Sequence, residues 1–177
     1  MARLVDVKDH KLFLDVAKAI SGTPEGAKCR FVIIGDGELK DDLVRYAEEI
    51  CVKDRVIFTG WYMDMPELYR ALDMVLLTSK NEGTPVSLIQ ALASSRPVVS
   101  TDVGGVRNVI MEGQSGYVVG KNNTREFSER VLELLRDRQK RERFGLAGRE
   151  YVRERFSTSR LVRDLEKLYT DLVTRRK

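Results

Sequence analysis

Residues 74–105 read MVLLTSKNEGTPVSLIQALASSRPVVSTDVGG, and this stretch decides the fold. Four apolar residues, Met74-Val75-Leu76-Leu77, give way to the polar loop Thr78-Ser79-Lys80-Asn81-Glu82. Thr84-Pro85 then opens a helix expected to reach about Ser94, because proline suits a first helical turn. A second short apolar run, Val98-Val99, follows at once. Continuous apolar strands on either side of a helix predict a βαβ unit whose strands are parallel and buried on both faces.

Working outward, the same alternation covers the chain. Leu4-Val5 reads as the stub of a first strand and Phe31-Val32-Ile33-Ile34 as a second. Val56-Ile57-Phe58 is the third, residues 74–77 the fourth, Val98-Val99 the fifth and Tyr117-Val118-Val119 the sixth. Asp9 is placed to cap a helix reaching about Ile20, with Leu12, Val16, Ala19 and Ile20 on its inner stripe. Residues 38–50 repeat the pattern through Leu39, Leu43, Ala47 and Ile50. Met65-Pro66 opens a short helix to about Ala71, and residues 108–112 predict a brief helical turn. Beyond Gly120 the strands stop. Thr124 reads as an N-cap for a helix burying Phe127, Val131, Leu134 and Leu135. Two further helices are expected over residues 139–155 and 157–175. Ser157 caps the last, and Leu161, Leu165, Leu168 and Leu172 form its stripe. The expectation is one α/β domain, residues 1–177, built as a doubly wound, Rossmann-like, six-stranded parallel sheet with helices on both faces. The first strand is short against the usual five or six residues. A strand clipped at Met1, or a preceding domain, is therefore expected.

The bulk composition narrows the function classes. A chain of 177 residues, 42% hydrophobic and 33% charged, suits one folded domain. Cys29 and Cys51 lie beside strands and read as reduced thiols, and a single histidine, His10, argues against a His/Cys metal centre. No apolar run approaches a membrane span and no signal peptide is apparent, so a cytoplasmic location is expected. There the sequon Asn122-Asn123-Thr124 carries no weight. A net charge of +4 suits an anionic partner: nucleotide phosphate, nucleic acid or an acidic membrane face. The basic run over residues 136–143 reads as a solvated helix face, since no aromatics interleave it as a nucleic-acid patch would require.

In a doubly wound sheet, ligands sit at the carboxyl ends of the strands near the switch in strand order. After Leu77 the sequence places an acid, Glu82, then Gly83 and exposed backbone N–H groups at the start of a helix. Such N–H groups and the helix dipole favour a phosphate or diphosphate. A carboxylate is better used to accept hydrogen bonds from hydroxyls. A phosphorylated, polyhydroxylated ligand such as a nucleotide sugar accommodates both; Glu82 as a simple loop cap is the alternative. Gly35-Asp36-Gly37 reads as a tight turn, because it lacks the third glycine and the first-turn position of a dinucleotide fingerprint.

Residues 81–105 resemble the signature of the retaining glycosyltransferases of the GT-B fold, the large family-four group (glycosyl transferases group 1). Its pattern is an E-x7-E motif, an A-x-x-x-P-V-V strand and a V-G-G turn. RLVDVKDH, VIIGDGELKDDL, VIFTGWYMDMPELYRALDMVLLTS, EGQSGYVV and RERFS occur in family order. The resemblance covers essentially all 177 residues and points to the C-terminal, donor-binding half of such enzymes.

That resemblance implies roles by motif position. Arg3 and Lys8 match the basic pair that neutralises the donor diphosphate as it leaves, a role suited to fixed cations; otherwise they are surface charges beside a turn. Glu82 matches the first motif acid, which holds hydroxyls of the transferred sugar. Gly83, Thr84, Pro85 and Val86 match the loop lining sugar and phosphates. Gln90 stands where the second acid should grip the ribose; it is either a weaker, neutral acceptor or a solvated helix position. Trp61 and Tyr62 either contact the base or form an exposed aromatic cap. Ser95 replaces the usual glycine at a left-handed position.

The implied activity is transfer of a hexosyl group, with retention, from a nucleoside-diphosphate sugar to a carbohydrate or lipid-linked acceptor, as in polysaccharide biosynthesis. UDP is favoured over GDP. Neither metal nor other cofactor is expected, and no nucleic acid. The acceptor half would be a separate N-terminal domain, with peripheral membrane contact an option for the whole enzyme. The domain alone is expected to bind donor poorly and turn over little. The competing reading is a non-catalytic or engineered scaffold, which Gln90, Ser95 and the short first strand favour. A nicotinamide dehydrogenase is excluded, because the first turn reads Arg3-Leu4-Val5-Asp6-Val7-Lys8 in place of G-x-G-x-x-G. A GT-B epimerase fits residues 81–105 less well.

Overall fold

The computed structural model describes residues 3–174. Apolar triplets of β-branched residues and one phenylalanine form the parallel strands β1, Phe31–Ile33, and β2, Val56–Phe58, with Phe31 opposite Val56 and Ile33 opposite Phe58. A second parallel sheet holds β3, Val75–Leu77, β4, Val98–Thr101, and β5, Gly116–Val119, in that order. The α/β, Rossmann-like plan is therefore present. The single six-stranded sheet is not: the described residues form five strands, divided into a pair and a triplet. Leu4-Val5 is the missing strand. Leu4 is buried, but its N–H donates to the Asp36 carbonyl at 3.0 Å and its carbonyl accepts from Leu39 N–H at 3.1 Å. Val5 then leads into a 3-10 turn, Asp6–Lys8. Turn partners have taken the groups a strand would have paired.

Helices cover both faces, and the strands show it by alternation. Val99, Tyr117 and Val119 join one core with α1, His10–Ser21, α2, Lys40–Glu49, and α5, Thr124–Arg136. Val98 joins the other with α3, Met65–Ala71, α4, Val86–Ala93, and α6, Arg138–Phe156. Phe127 and Leu134 are wholly buried, each stabilising the fold by roughly 1.5–3 kcal/mol through removal from water.

Caps set most helix starts. Asp9 accepts from Leu12 N–H at 3.3 Å, as expected, and Asp64 accepts from Glu67 N–H at 3.0 Å. Ahead of α5 the cap is Asn123, with Thr124 the first helical residue. On α1 the buried set is Leu12, Leu14, Val16, Ala17 and Ile20, while Ala19 faces out. The turn expected at 108–112 lies earlier, as a 3-10 turn over Gly104–Asn108. Ser157 does cap α7, Thr158–Thr174, accepting from Arg160 N–H at 3.3 Å. Its stripe is not buried, however: Leu161, Leu165, Leu168 and Leu172 are all exposed, because α7 runs off the body beyond α6. Among the described residues no helix is long and apolar enough to cross a membrane.

Candidate functional site

The site is built where two loops, seventy residues apart in sequence, are laced together. β3 ends at Leu77, and the buried Thr78 and Ser79 follow it. Thr101, at the end of β4, donates its hydroxyl to the Ser79 carbonyl at 2.6 Å. Thr78 donates its hydroxyl to the Lys8 carbonyl at 3.2 Å, and Lys80 N–H donates to the Val7 carbonyl at 2.8 Å. Those bonds bring the turn after Leu4 against the loop after β3.

Lys8 and Glu82 meet at the join. Lys8 Nζ lies 2.7 Å from Glu82 Oε1, and Ser79 Oγ donates to the same oxygen at 2.7 Å. The two charged side chains are 25% and 12% exposed. Water screens such a pair only partly, and charge-assisted bonds of this length are about twice as strong as neutral ones. Glu82 Oε2 takes no hydrogen bond among the described residues, so it stays available to a hydroxyl.

Gly83 next to it has open space where a side chain would be. Its carbonyl accepts from Gly105 N–H at 2.9 Å, which joins the loop after β4 to the loop after β3. No side chain caps α4, whose N-cap is Pro85. Among the described residues the N–H groups of Gly83, Thr84, Val86 and Ser87 find no acceptor. A mostly uncapped helix start beside an ion pair can take an anion on its N–H groups and hydroxyls on the carboxylate.

The other expected residues are less tightly gathered. Arg3 is exposed, and its side chain makes no ion pair among the described residues. Val86, 60% exposed, and Gln90 lie one turn apart on the outer face of α4. Gln90 Oε1 accepts from the Tyr69 hydroxyl at 3.3 Å, and that hydroxyl also donates to the Ser87 carbonyl at 3.2 Å. Burial pushes the Tyr69 pKa up to about 12, so it remains a donor. Trp61 is 63% exposed and Tyr62 half-buried. They follow Gly60, whose carbonyl accepts from Gly35 N–H at 2.9 Å. They stand at the carboxyl edge of the sheet, with no hydrogen bond to Lys8 or Glu82. Ser79, Thr101 and Tyr69 were not singled out in the sequence. Their signal is polarity at the ends of apolar runs and an aromatic on a short helix.

Nearby, Arg107 grips Asp102 through two bonds, of 2.9 and 2.6 Å, which hold the Asp102 carboxyl below its usual range. His10 Nδ1 is enclosed without a partner, and burial, with Lys8 close by, lowers the His10 pKa to about 4. Among the described residues no three His, Cys, Asp or Glu side chains converge as a metal site would require.

The family Glycosyl transferases group 1 matches residues 1–151. N-acetyl-alpha-D-glucosaminyl L-malate synthase of Bacillus anthracis is 28% identical over 159 residues, 90% of this chain and 42% of that protein. Staphylococcus aureus TarM, solved with UDP, fondaparinux and alpha-GlcNAc-glycerol, superposes with a TM-score of 0.87 at 26% identity, over 95% of this chain and 34% of that one. The C-terminal domain of a group 1 glycosyl transferase from Francisella tularensis gives a TM-score of 0.80 at 22% identity, over 89% of this chain and 84% of that one, a likeness of fold. The chain thus spans less than half of the first two relatives. It belongs to the group 1 glycosyl transferases and corresponds to the C-terminal part of the GT-B fold.

Proposed function

We propose that this chain binds a nucleoside-diphosphate sugar, UDP-linked, as the donor half of a retaining, hexosyl-transferring glycosyltransferase. The observation that carries the reading is the Lys8–Glu82 pair set against the open start of α4. Glu82 Oε2 accepts from the sugar hydroxyls, while the N–H groups of Thr84 and Val86 take the diphosphate. When the bond from the anomeric carbon to the phosphate oxygen breaks, negative charge builds on that oxygen. Lys8 then exchanges part of its contact with Glu82 for the phosphate, and Arg3 adds a second cation from the adjoining turn. Such a cationic site works without a metal. Gln90 accepts from the ribose, and Trp61 and Tyr62 border the base. UDP in the TarM structure supports the choice of nucleotide.

A longer polypeptide with an acceptor-binding N-terminal domain completes the site, acting in the cytoplasm on a carbohydrate or lipid-linked acceptor at or near the membrane. The domain alone then binds donor weakly and transfers nothing. Titration of the chain with UDP and UDP-sugars, followed by NMR, tests this. Shifts are expected at Lys8, Glu82 and the Thr84 and Val86 amides; no shift at millimolar ligand would end the proposal. A non-catalytic binding domain is the second reading. It is favoured by Gln90, a neutral side chain already engaged by Tyr69.

A further inference from the structure

Two donors share one oxygen of Glu82, and they differ in what they are free to do. The Lys8 ammonium and the Ser79 hydroxyl each lie 2.7 Å from Glu82 Oε1. A carboxylate oxygen offers two lone-pair positions, so Oε1 is filled while Oε2 keeps both of its own.

Lys8 is able to leave. Its ammonium makes no other hydrogen bond among the described residues, and its side chain is 25% exposed on a flexible four-carbon stem. Ser79 is not. It is buried, with 1% of its surface exposed. Its hydroxyl sits on a single carbon, and its carbonyl is pinned by the Thr101 hydroxyl at 2.6 Å. The main chain of Glu82 is also confined, because Gly104 closes on its carbonyl oxygen. Ser79 and Glu82 lie three residues apart in one loop, so their bond does not depend on where the Lys8 side chain goes.

The donor-site reading asks two things of Lys8 at once. It helps to hold Glu82 toward the sugar hydroxyls, and it turns to the phosphate as the leaving group gains charge. With Lys8 as its only partner, the carboxylate would be released while the bond breaks. A carboxylate only 12% exposed is costly to leave unpaired, so it would follow the ammonium or swing toward water. Either movement would take Oε2 off the sugar. A neutral hydroxyl on Oε1 removes the conflict, because hydrogen bonds to a charged acceptor are about twice as strong as neutral ones.

We infer that Ser79 is a positioning residue for the donor site. Its hydroxyl holds Glu82 Oε1 whether or not Lys8 is in contact, which frees Lys8 for the phosphate and keeps Oε2 facing the sugar. This role rests on the donor-site reading for its ligand, whereas the fixed carboxylate is a property of the chain without ligand. A bond that merely stapled the loop would affect stability and leave sugar preference alone.

The first test needs no ligand. Lys8→Met removes the ammonium at nearly constant length, and the three-bond 15N–13Cγ and 13C′–13Cγ couplings of Glu82 are read by NMR. They are expected to keep the single-rotamer values of the parent in Lys8→Met, and to average when Ser79→Ala is added. Averaging in Lys8→Met alone overturns the inference, and that variant decides the point even if the double variant fails to fold. A single rotamer that survives both substitutions overturns it too. The second test titrates UDP and UDP-glucose. Ser79→Ala is expected to leave UDP affinity within about twofold of the parent and to reduce the preference for UDP-glucose over UDP by about threefold. Ser79→Thr, which keeps the hydroxyl, is expected to retain that preference. Lost stability with the preference intact in Ser79→Ala would make Ser79 a loop staple and overturn the inference. A parent that binds neither ligand, or binds both equally, counts against the donor-site reading, and the couplings still decide the role of Ser79.

Discussion

A Cβ placed on Gly104 would lie 1.6 Å from the carbonyl oxygen of Glu82. The backbone of Gly104 also sits at φ +48, in the left-handed region. Here the loop after β4 presses directly on the loop that carries the candidate acid, and Gly105 N–H locks the contact through Gly83. Gly104→Ala therefore adds backbone strain of about 1–2 kcal/mol to a clash that only movement of the Glu82 loop relieves. A loss of about 2–4 kcal/mol is expected in denaturant unfolding. The Glu82 and Gly83 amide resonances should move even under fully native conditions. A variant as stable as the parent, with those resonances in place, would show that the loops do not bear on each other.

Ser95 lies at φ +57, where a side chain is strained. α6 packs so closely here that a Cβ on Gly145 would meet the Ser95 carbonyl at 2.1 Å. This close approach of α6 restricts how far the turn can relax. Ser95→Gly removes the strain at some cost in unfolded-state entropy, so a net gain of about 0.5–1 kcal/mol is expected. A rise in the urea midpoint at constant slope checks it, and no rise would mean the serine is not strained.

Local chemistry explains what could be read from the sequence. α3 begins and ends where Met65-Pro66 and Ala71 place it, and β2 is the expected triplet, because a helix-opening proline and a β-branched run act locally. The left-handed turn at residue 95 was legible as a glycine position filled by serine. Leu4-Val5 misled because an apolar dipeptide suits a buried turn as well as a strand, and only the Asp36 and Leu39 partners decide between them. Asn123 and Thr124 are both good caps, and one residue of phase separates them. The Lys8–Glu82 pair rests on hydroxyls of Thr78 and Ser79, after β3, and of Thr101, at the end of β4, a convergence that no local pattern encodes.

Gln90 offers a direct probe of nucleotide binding. Its Oε1 already accepts from Tyr69, and its place on the outer face of α4 is where the family resemblance puts a ribose-gripping acid. An ionised acceptor strengthens each hydroxyl bond by about 1 kcal/mol over a neutral one. Gln90→Glu is then expected to tighten UDP roughly fivefold, and the gain should vanish with a 2′,3′-dideoxy analogue. Calorimetry on both ligands separates this from a general charge effect, which would weaken both alike.

Acid stability depends on Glu133, whose partners are not residues of the candidate site. Its carboxylate pairs with Lys140, accepts from the Tyr117 hydroxyl at 2.7 Å and meets Arg130 at 3.2 Å. Lys140 is the main cause that lowers its pKa from the usual 4.5 to about 2. A folded-state pKa below the unfolded value means that the unfolded chain binds the extra proton. The stabilisation is therefore complete above about pH 4.5 and drains away as the pH falls toward 2. The side chain is one-third exposed, so screening by water and salt reduces the contribution to about 1–2 kcal/mol. Glu133→Gln should be less stable than the parent by that amount at pH 7, and the two should converge near pH 2. Urea midpoints for both proteins across this range, at low and high salt, check the sign. A gap that stays constant down to pH 2 would show that packing, not the carboxylate charge, makes the difference.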